Sequence, residues 1–232
     1  MAKSKIIKDL ANGVVDTQTA LKRTKVLLQD LGDEKLLAWV NCEISGYPED
    51  VEVPEYRVIQ GQTYGTYVVG TMSSHVKYSE VPLPLGSMPE KMRKELTEYS
   101  ERTSVGALKE VLDSDKNNNG LVRMIPAELY PGIAKFNNSP NMAIVNAYVK
   151  MNMSKIRNIF PQVESKLLDV LTYLEKKFGN LDELDIDTET KTSEELQEII
   201  SHLTVVIYDN SVNIGDNNKI RNSTIASENL TQ

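Results

Sequence analysis

The sequence predicts an α+β fold with N-terminal helical hairpins, a small antiparallel sheet, a long closing helix and a C-terminal β-arc tail. Apolar residues recur at helical spacing before residue 47 and again after residue 154. The segment between residues 54 and 78 is instead rich in tyrosine, valine and threonine and is broken by glycines, which is typical of strands and turns. Of the 232 residues, 40% are hydrophobic and 25% are charged, as in a globular protein that buries a core.

Amphipathic stripes predict three helices within the first 47 residues. The first helix repeats an apolar residue every four positions, at Ile6, Leu10 and Val14. A second helix begins after Asp16 and a third after Asp33, because aspartate is a favourable N-cap. Gly46 and Pro48 end the third helix. Its buried face is expected to contain Leu36, Trp39, Val40 and Ile44.

The middle of the chain predicts the sheet. Residues 54–60, 62–70 and 71–78 are expected to form strands, with tight turns at Gly61, Gly65 and Gly70. Residues 142–151 predict an inner strand of the same sheet. One face of this strand alternates Ala143, Val145, Ala147, Val149 and Met151.

Helical spacing returns in four later segments. Residues 89–99 and 104–115 predict two helices, and a longer helix runs from Ser154 to Phe178, with Pro161 either in its first turn or at a kink. Residues 181–196 carry seven acids against one lysine and predict a linker. Thr192 and Glu195 form a capping-box pattern ahead of a short helix. The predicted organisation is therefore an α+β domain at 1–179, an acidic linker and short helix at 180–203, and a β-rich, asparagine-rich tail at 204–232.

The charge distribution bears on possible partners. A net charge of -7 disfavours a general nucleic-acid binder, because such binding depends on neutralising phosphates. The first 29 residues nevertheless hold six basic side chains and two acids, so a basic patch stays open beside the simpler interpretation of a solvated helix face. The six are Lys3, Lys5, Lys8, Lys22, Arg23 and Lys25.

Cysteine usage and apolar run length predict a cytoplasmic protein. Cys42 is the single cysteine and cannot form an internal disulfide. No run approaches the length of a membrane span or of a signal-peptide core.

Motifs for catalysis are missing from the sequence. His75 and His202 are far apart and lie in no metal-binding or nucleophile pattern. The chain also has no GxGxxG, GxxxxGK[ST] or GxSxG motif. Carboxylates such as Glu43 and Glu55 are expected to face solvent or to form ion pairs. The sequence therefore favours a non-enzymatic protein with no metal or cofactor.

Two segments of the chain resemble a known family. Residues 27–59, LLQDLGDEKLLAWVNCEISGYPEDVEVPEYRVI, combine a helix, a Gly-Tyr-Pro stop and a Val-Pro-Glu-Tyr-Arg strand, and the stretch from Trp39 to Arg57 is the most specific part. This run resembles the AbiTii domain of prokaryotic abortive-infection systems. Residues 163–179 are similar to the leucine-rich helix that closes that domain. The resemblance covers residues 1–179 and implies a role in defence against phage, with no catalytic residues to carry over.

The C-terminal tail predicts self-association. It combines valine, isoleucine and threonine with many asparagines and contains no proline, which is typical of strands that stack between molecules. Residues 212–220, VNIGDNNKI, resemble the core of the RIP homotypic interaction motif and related amyloid signalling motifs. Asn213 stands where glutamine is usual, and Ile220 stands where the animal motif has methionine. The predicted self-association residues are Val212, Asn213, Ile214, Gly215, Asn218 and Ile220.

The functional hypothesis is an antiviral defence protein that assembles with itself, as a homo-oligomer or filament, or with a sensor protein carrying a matching motif. One alternative is a carboxylate-dependent enzyme such as a nuclease or nucleotide hydrolase. Another is an interaction module whose basic N-terminal helix touches membrane or nucleic acid. Residues 204–227 could also form a hairpin, an edge addition or a disordered end, or the tail could dock on its own domain.

Overall fold

The computed structural model describes residues 3–114, 120–139 and 141–208. Within these ranges the helices are α1 Lys5–Ala11, α2 Thr17–Leu31, α3 Glu34–Ser45, α4 Glu90–Thr97, α5 Val105–Ser114, α6 Tyr130–Phe136, α7 Met153–Arg157, α8 Ile159–Phe178 and α9 Ser193–Tyr208. The strands are β1 Val58–Thr71, β2 Ser74–Pro82, β3 Glu98–Ser100, β4 Val122–Met124 and β5 Met142–Met151. Short 3-10 turns lie at Glu55–Arg57 and Ala127–Leu129. The predicted α+β class is confirmed.

The helices α2 and α3 begin and end where local chemistry predicts, whereas α1 ends at Ala11 and Val14, predicted to lie on its apolar stripe, is 71% exposed. The side chain of Asp16 accepts a hydrogen bond from the Thr19 amide, and that of Asp33 accepts one from the Leu36 amide. Gly32 ends α2 at a φ of 66°, a left-handed conformation that glycine adopts at little cost. The apolar stripes of α2 and α3 are buried and form one side of the core, at Leu21, Leu27, Leu28, Leu36, Trp39 and Val40.

The strands form an antiparallel sheet in the order β2-β1-β5-β4, and β3 pairs with the start of β1. The predicted turns at Gly61 and Gly65 were wrong, because β1 runs through both positions as one strand of 14 residues. These glycines allow close packing. A Cβ at Gly61 would lie 2.5 Å from Val149 Cγ1, and one at Gly65 would collide with the backbone of Asn146. The chain turns after Gly70, as predicted, and returns as β2.

A bulge changes which side chains of β5 face the core. The register between β1 and β5 shifts after Thr66, so that Val145 has no direct partner. Residues Ala147, Val149 and Met151 are buried as predicted, whereas Ala143 and Val145 face outward and Met142 is buried instead. The prediction of one uniform face was therefore wrong for the first half of the strand, because an extra residue reverses the alternation.

The long closing helix is interrupted near its start. Residues 153–157 form α7 and α8 begins at Ile159, with Pro161 in its first turn. Proline is tolerated there because the first amides of a helix have no intrahelical acceptor.

The predicted acidic linker packs against the folded body. Leu181 and Ile186 are 0% and 4% exposed and belong to the main core. The helix that follows continues to Tyr208 and buries Ile199, Leu203 and Ile207 against α8 and α3. The core thus extends past residue 179, and residues 204–208 form helix where the start of a β-rich tail was expected. Residues 209–232 lie outside the described ranges.

No helix within the described ranges is both long enough and apolar enough to cross a membrane.

Candidate functional site

The Glu43 network is a set of five side chains from α3 and the segment that leads into β1: Trp39, Glu43, Tyr47, Tyr56 and Arg57. Glu43 and Arg57 are both 0% exposed and form an ion pair of 2.5 Å between Oε2 and Nη2. Glu43 Oε1 also accepts hydrogen bonds from Tyr47 Oη at 2.7 Å, Tyr56 Oη at 2.6 Å and Arg57 Nε at 3.0 Å. Trp39 Nε1 donates to Tyr56 Oη at 2.9 Å.

The remaining donors of Arg57 bind the segment that follows β3. Its Nη1 donates to the carbonyl oxygens of Glu101 at 3.1 Å and Thr103 at 2.8 Å. The planar guanidinium also lies over the Tyr47 ring, with Cζ 4.9 Å from the ring centre. Arg57 therefore joins α3, the start of β1 and the segment between β3 and α5.

The surroundings of Tyr47, Tyr56 and Arg57 keep these three side chains protonated. Burial and the adjacent charge of Glu43 raise the pKa of both Tyr47 and Tyr56, so both phenols stay protonated. Burial opposes the charged form of Arg57, but the hydrogen bonds and charge of Glu43 outweigh it and raise the Arg57 pKa. Because both charged groups are shielded from solvent and hydrogen-bonded, the network is suited to holding the fold together rather than to reacting with a substrate.

The network also reaches the last helix. Lys166 on α8 is 7% exposed, and its Nζ lies 5.6 Å from the centre of the Tyr56 ring. The same Nζ donates to the Val206 carbonyl oxygen at 2.9 Å, at the C-terminal end of α9. A cation beside the last carbonyls of a helix is favourable. The position of the end of α9 is thus linked to the Glu43 network.

A polar cleft of about 680 Å³ lies between the start of α2, α5 and the start of α8. Its acidic lining residues are Asp16, Glu110, Asp113 and Glu164, and its basic ones are Lys109 and Arg157. Glu164 accepts a hydrogen bond of 2.6 Å from the Thr17 hydroxyl. The backbone amide of Thr19 holds the pKa of Asp16 below its ordinary value, so this carboxyl is ionised and is a poor general acid. If the protein catalysed a carboxylate-dependent reaction, this cleft would be the site that could hold the substrate.

A third polar cluster lies on the face of the sheet opposite to the core. Glu80 has a φ of 51°, which is unusual for a residue with a side chain. Its carboxylate accepts hydrogen bonds from Tyr148 Oη at 2.7 Å and from Thr66 Oγ1 at 3.1 Å. These bonds hold the pKa of Glu80 below its ordinary value and raise that of Tyr148. The cluster joins irregular positions of β1, β2 and β5, and neither group has a pKa suited to proton transfer near neutrality.

The two histidines occupy separate elements. His75 is exposed in β2, and His202 on α9 stacks on Tyr173 of α8 with ring centres 3.8 Å apart. Burial, together with nearby lysines, lowers the pKa of His202. In the described part of the chain, no group of three or more histidine, cysteine or acidic residues is arranged to hold a metal ion.

Several residues of the predicted basic patch contact acidic side chains. Lys3 pairs with Glu175 at 2.9 Å and Arg23 with Asp9 at 3.8 Å. The Lys5 amide donates to Asp182, a residue of the segment predicted as a linker. Lys5, Lys8 and Lys22 are exposed. The basic patch remains a prediction, now with carboxylates in its immediate surroundings.

The predicted self-association residues, 212–215, 218 and 220, lie outside the described residues. The described chain ends at Tyr208, whose hydroxyl donates to the Lys35 carbonyl oxygen at 3.1 Å. The described part of the chain therefore ends beside the first turn of α3.

From the sequence, Glu43 was expected either to face solvent or to form an ion pair; the ion pair forms, but the buried network around it was not predicted. The signal was available in the spacing of α3, because Glu43 follows Leu36, Trp39 and Val40 on the same buried face. Lys166 has a similar position between the buried residues Val163 and Leu167 of α8. A charged residue on an apolar stripe predicts a buried partner.

Comparison with known proteins identifies the family. The AbiTii family model matches residues 4–199. No match was found among curated proteins or among solved structures. The matched range includes the Glu43 network, the acidic segment and the first part of α9, and therefore extends 20 residues beyond the end predicted from the sequence. Since the match covers most of the 232 residues, the chain belongs to the AbiTii family, which suggests a role in abortive-infection defence.

Proposed function

We propose that this protein is an abortive-infection defence protein that acts by assembly, with residues 3–208 as the folded body and residues 209–232 as the self-association segment. The family match is the observation that carries the defence role. The assembly role is supported by the tail sequence, in which Val212 and Ile214 flank an amide and precede Gly215. Such a segment can form an arc whose copies stack through backbone hydrogen bonds and asparagine ladders.

The body supplies a suitable attachment for such a segment. The last helix, α9, is fixed by the burial of Ile199, Leu203 and Ile207 and by the hydrogen bond from Lys166 to Val206. A tail attached to a fixed helix is presented at one place on every copy. Stacking of the tails would then bring many bodies together at a regular spacing.

A phage challenge of bacteria that express the variants tests this proposal. Ile214→Asp should abolish protection, because it places a charge in the dry interior of the arc at every layer of a stack. The matched control is Leu230→Asp, which adds the same charge to the same tail beyond the motif and should leave protection intact.

The enzyme alternative predicts a different pattern. If the cleft carries the chemistry, Glu164→Gln combined with Glu110→Gln should abolish protection while Ile214→Asp leaves it intact. Full protection by the Ile214→Asp variant, at an unchanged level of protein, would contradict the assembly proposal.

A further inference from the structure

An apolar groove of about 260 Å³ lies between α4 and α6, far in sequence from both the tail and the Glu43 network. Its apolar lining includes Met92, Leu96, Leu129, Ile133 and Phe136. Met92 and Leu129 are each 46% exposed, whereas Ile133 at the floor is 2% exposed. The groove is therefore a place where a single apolar side chain can be removed from water.

The rim of this groove is acidic. Glu95 of α4 and Glu128 of the 3-10 turn are its two charged lining residues, and both are exposed. Within the described residues, neither carboxylate takes part in a salt bridge of 4.0 Å or less. A matching ligand therefore carries an apolar side chain with a cation on each side of it.

The tail contains one segment with this chemistry. Lys219 and Arg221 are the only basic residues between positions 209 and 232, and they directly flank Ile220. Their long side chains can fold sideways toward the two rim carboxylates while the isoleucine enters the groove. No other apolar residue of the tail has a cation as its neighbour on both sides.

The length of the tail permits contact within one molecule. The 11 residues from Tyr208 to Lys219 span up to about 36 Å when extended, close to the roughly 40 Å diameter of a body of this size. Tethering also raises the local concentration of the segment, so that a contact too weak to hold two separate molecules can still form.

We propose that the α4–α6 groove binds residues 219–221 of the same chain, with Ile220 on the apolar floor and Lys219 and Arg221 at Glu128 and Glu95. The docked state competes with the β-arc, because Ile220 cannot fill the groove and the arc interior together. This regulatory consequence rests on the proposed function, whereas the docking itself does not. The groove thus holds the tail of an unassembled molecule.

Cross-linking of the full-length chain tests the docking directly. The native cysteine is removed by Cys42→Ser, and Gly132→Cys and Asn222→Cys place one thiol at the groove and one beside the docked segment. A Cβ at Gly132 meets no atom within 4 Å, so this position accepts the new side chain. A short bismaleimide reagent then joins the two thiols, and peptide mass spectrometry identifies the product.

The expected product is a link within one chain, with the mass of a monomer. Combining Glu95→Lys with Glu128→Lys should lower its yield by about tenfold, because two attractions become repulsions. Adding Lys219→Glu and Arg221→Glu to that variant should restore the yield. A control chain with Met72→Cys in place of Gly132→Cys samples the fully exposed hairpin tip and should give little product.

Other outcomes overturn the proposal. Equal yields at positions 72 and 132, or a yield insensitive to the rim charges, would exclude docking of this segment in the groove. A dimer-mass product that joins position 132 of one chain to position 222 of another, with no monomer-mass link, would exclude docking within one chain. Because cross-linking is read without phage and on monomer mass, this result is independent of whether Ile214→Asp abolishes protection.

Discussion

Glu43→Gln should destabilise the protein strongly without changing its shape. Glutamine matches the size of glutamate but removes the charge that faces Arg57, whose side chain is 0% exposed. The guanidinium then keeps the carbonyl oxygens of Glu101 and Thr103 and loses its only ionic partner in the Glu43 network. Breaking one side of a buried ion pair costs about 3–5 kcal/mol, and we expect about 3 kcal/mol because glutamine retains one acceptor oxygen.

Urea unfolding followed by tryptophan fluorescence measures this loss. Trp39 is the single tryptophan, is 1% exposed and donates to Tyr56 inside the network, so its emission reports on the site itself. With a denaturant slope of about 2 kcal/mol per molar urea, the midpoint should fall by about 1.5 M.

The matched control is Glu49→Gln at a surface pair. Glu49 is 99% exposed and lies 4.0 Å from Arg102, so this variant should unfold at the same urea concentration as the unaltered protein. A midpoint shift below about 0.3 M for Glu43→Gln, with an unchanged slope, would refute the interpretation of the network as the structural link between α3 and β1.

Three further predictions concern the core, the pH dependence and the sheet. Leu171→Asp should unfold the protein, because an unpaired buried carboxylate costs several kcal/mol, on the order of the net stability of a domain; circular dichroism should show no such loss for Thr172→Asp on the exposed side of the same helix. Since burial lowers the pKa of His202 in the folded state, the unfolded chain binds more protons as the pH falls below the ordinary value of 6.5. The urea midpoint should therefore decrease as the pH is lowered from about 7.5 to about 5.5, and His202→Phe should make this decrease smaller. An equal decrease in both proteins would contradict the assignment of this pH dependence to His202. Gly65→Ala should lower thermal stability by about 1–3 kcal/mol because its Cβ meets the backbone of β5, while Gly132→Ala should stabilise by up to about 1 kcal/mol.

Much of the helical layer could be predicted from sequence because its signals are local. Asp16 and Asp33 cap α2 and α3 through their own side chains, and the apolar stripe around Trp39 is regular. Periodicity and capping need only the residues of one helix. These elements were therefore predicted together with their buried faces.

The errors arose where long-range packing decides the local structure. The β-branched residues before Tyr208 predicted a strand, but Ile199, Leu203 and Ile207 repeat every four residues and pack as a helix on α8 and α3. The bulge at Val145 depends on the register with β1, which no single strand specifies. The polar network depends on contacts between Glu43 and residues up to 14 positions away, and only its position on a buried stripe was visible in the sequence.

Sedimentation velocity of the full-length protein beside Ile214→Asp and Leu230→Asp tests the central claim most directly. The proposal predicts that the unaltered protein and Leu230→Asp sediment as large species whose size grows with concentration, while Ile214→Asp sediments as a folded monomer of about 26 kDa, the mass of one chain. Identical size distributions for the three proteins across all concentrations would contradict self-association through residues 212–220.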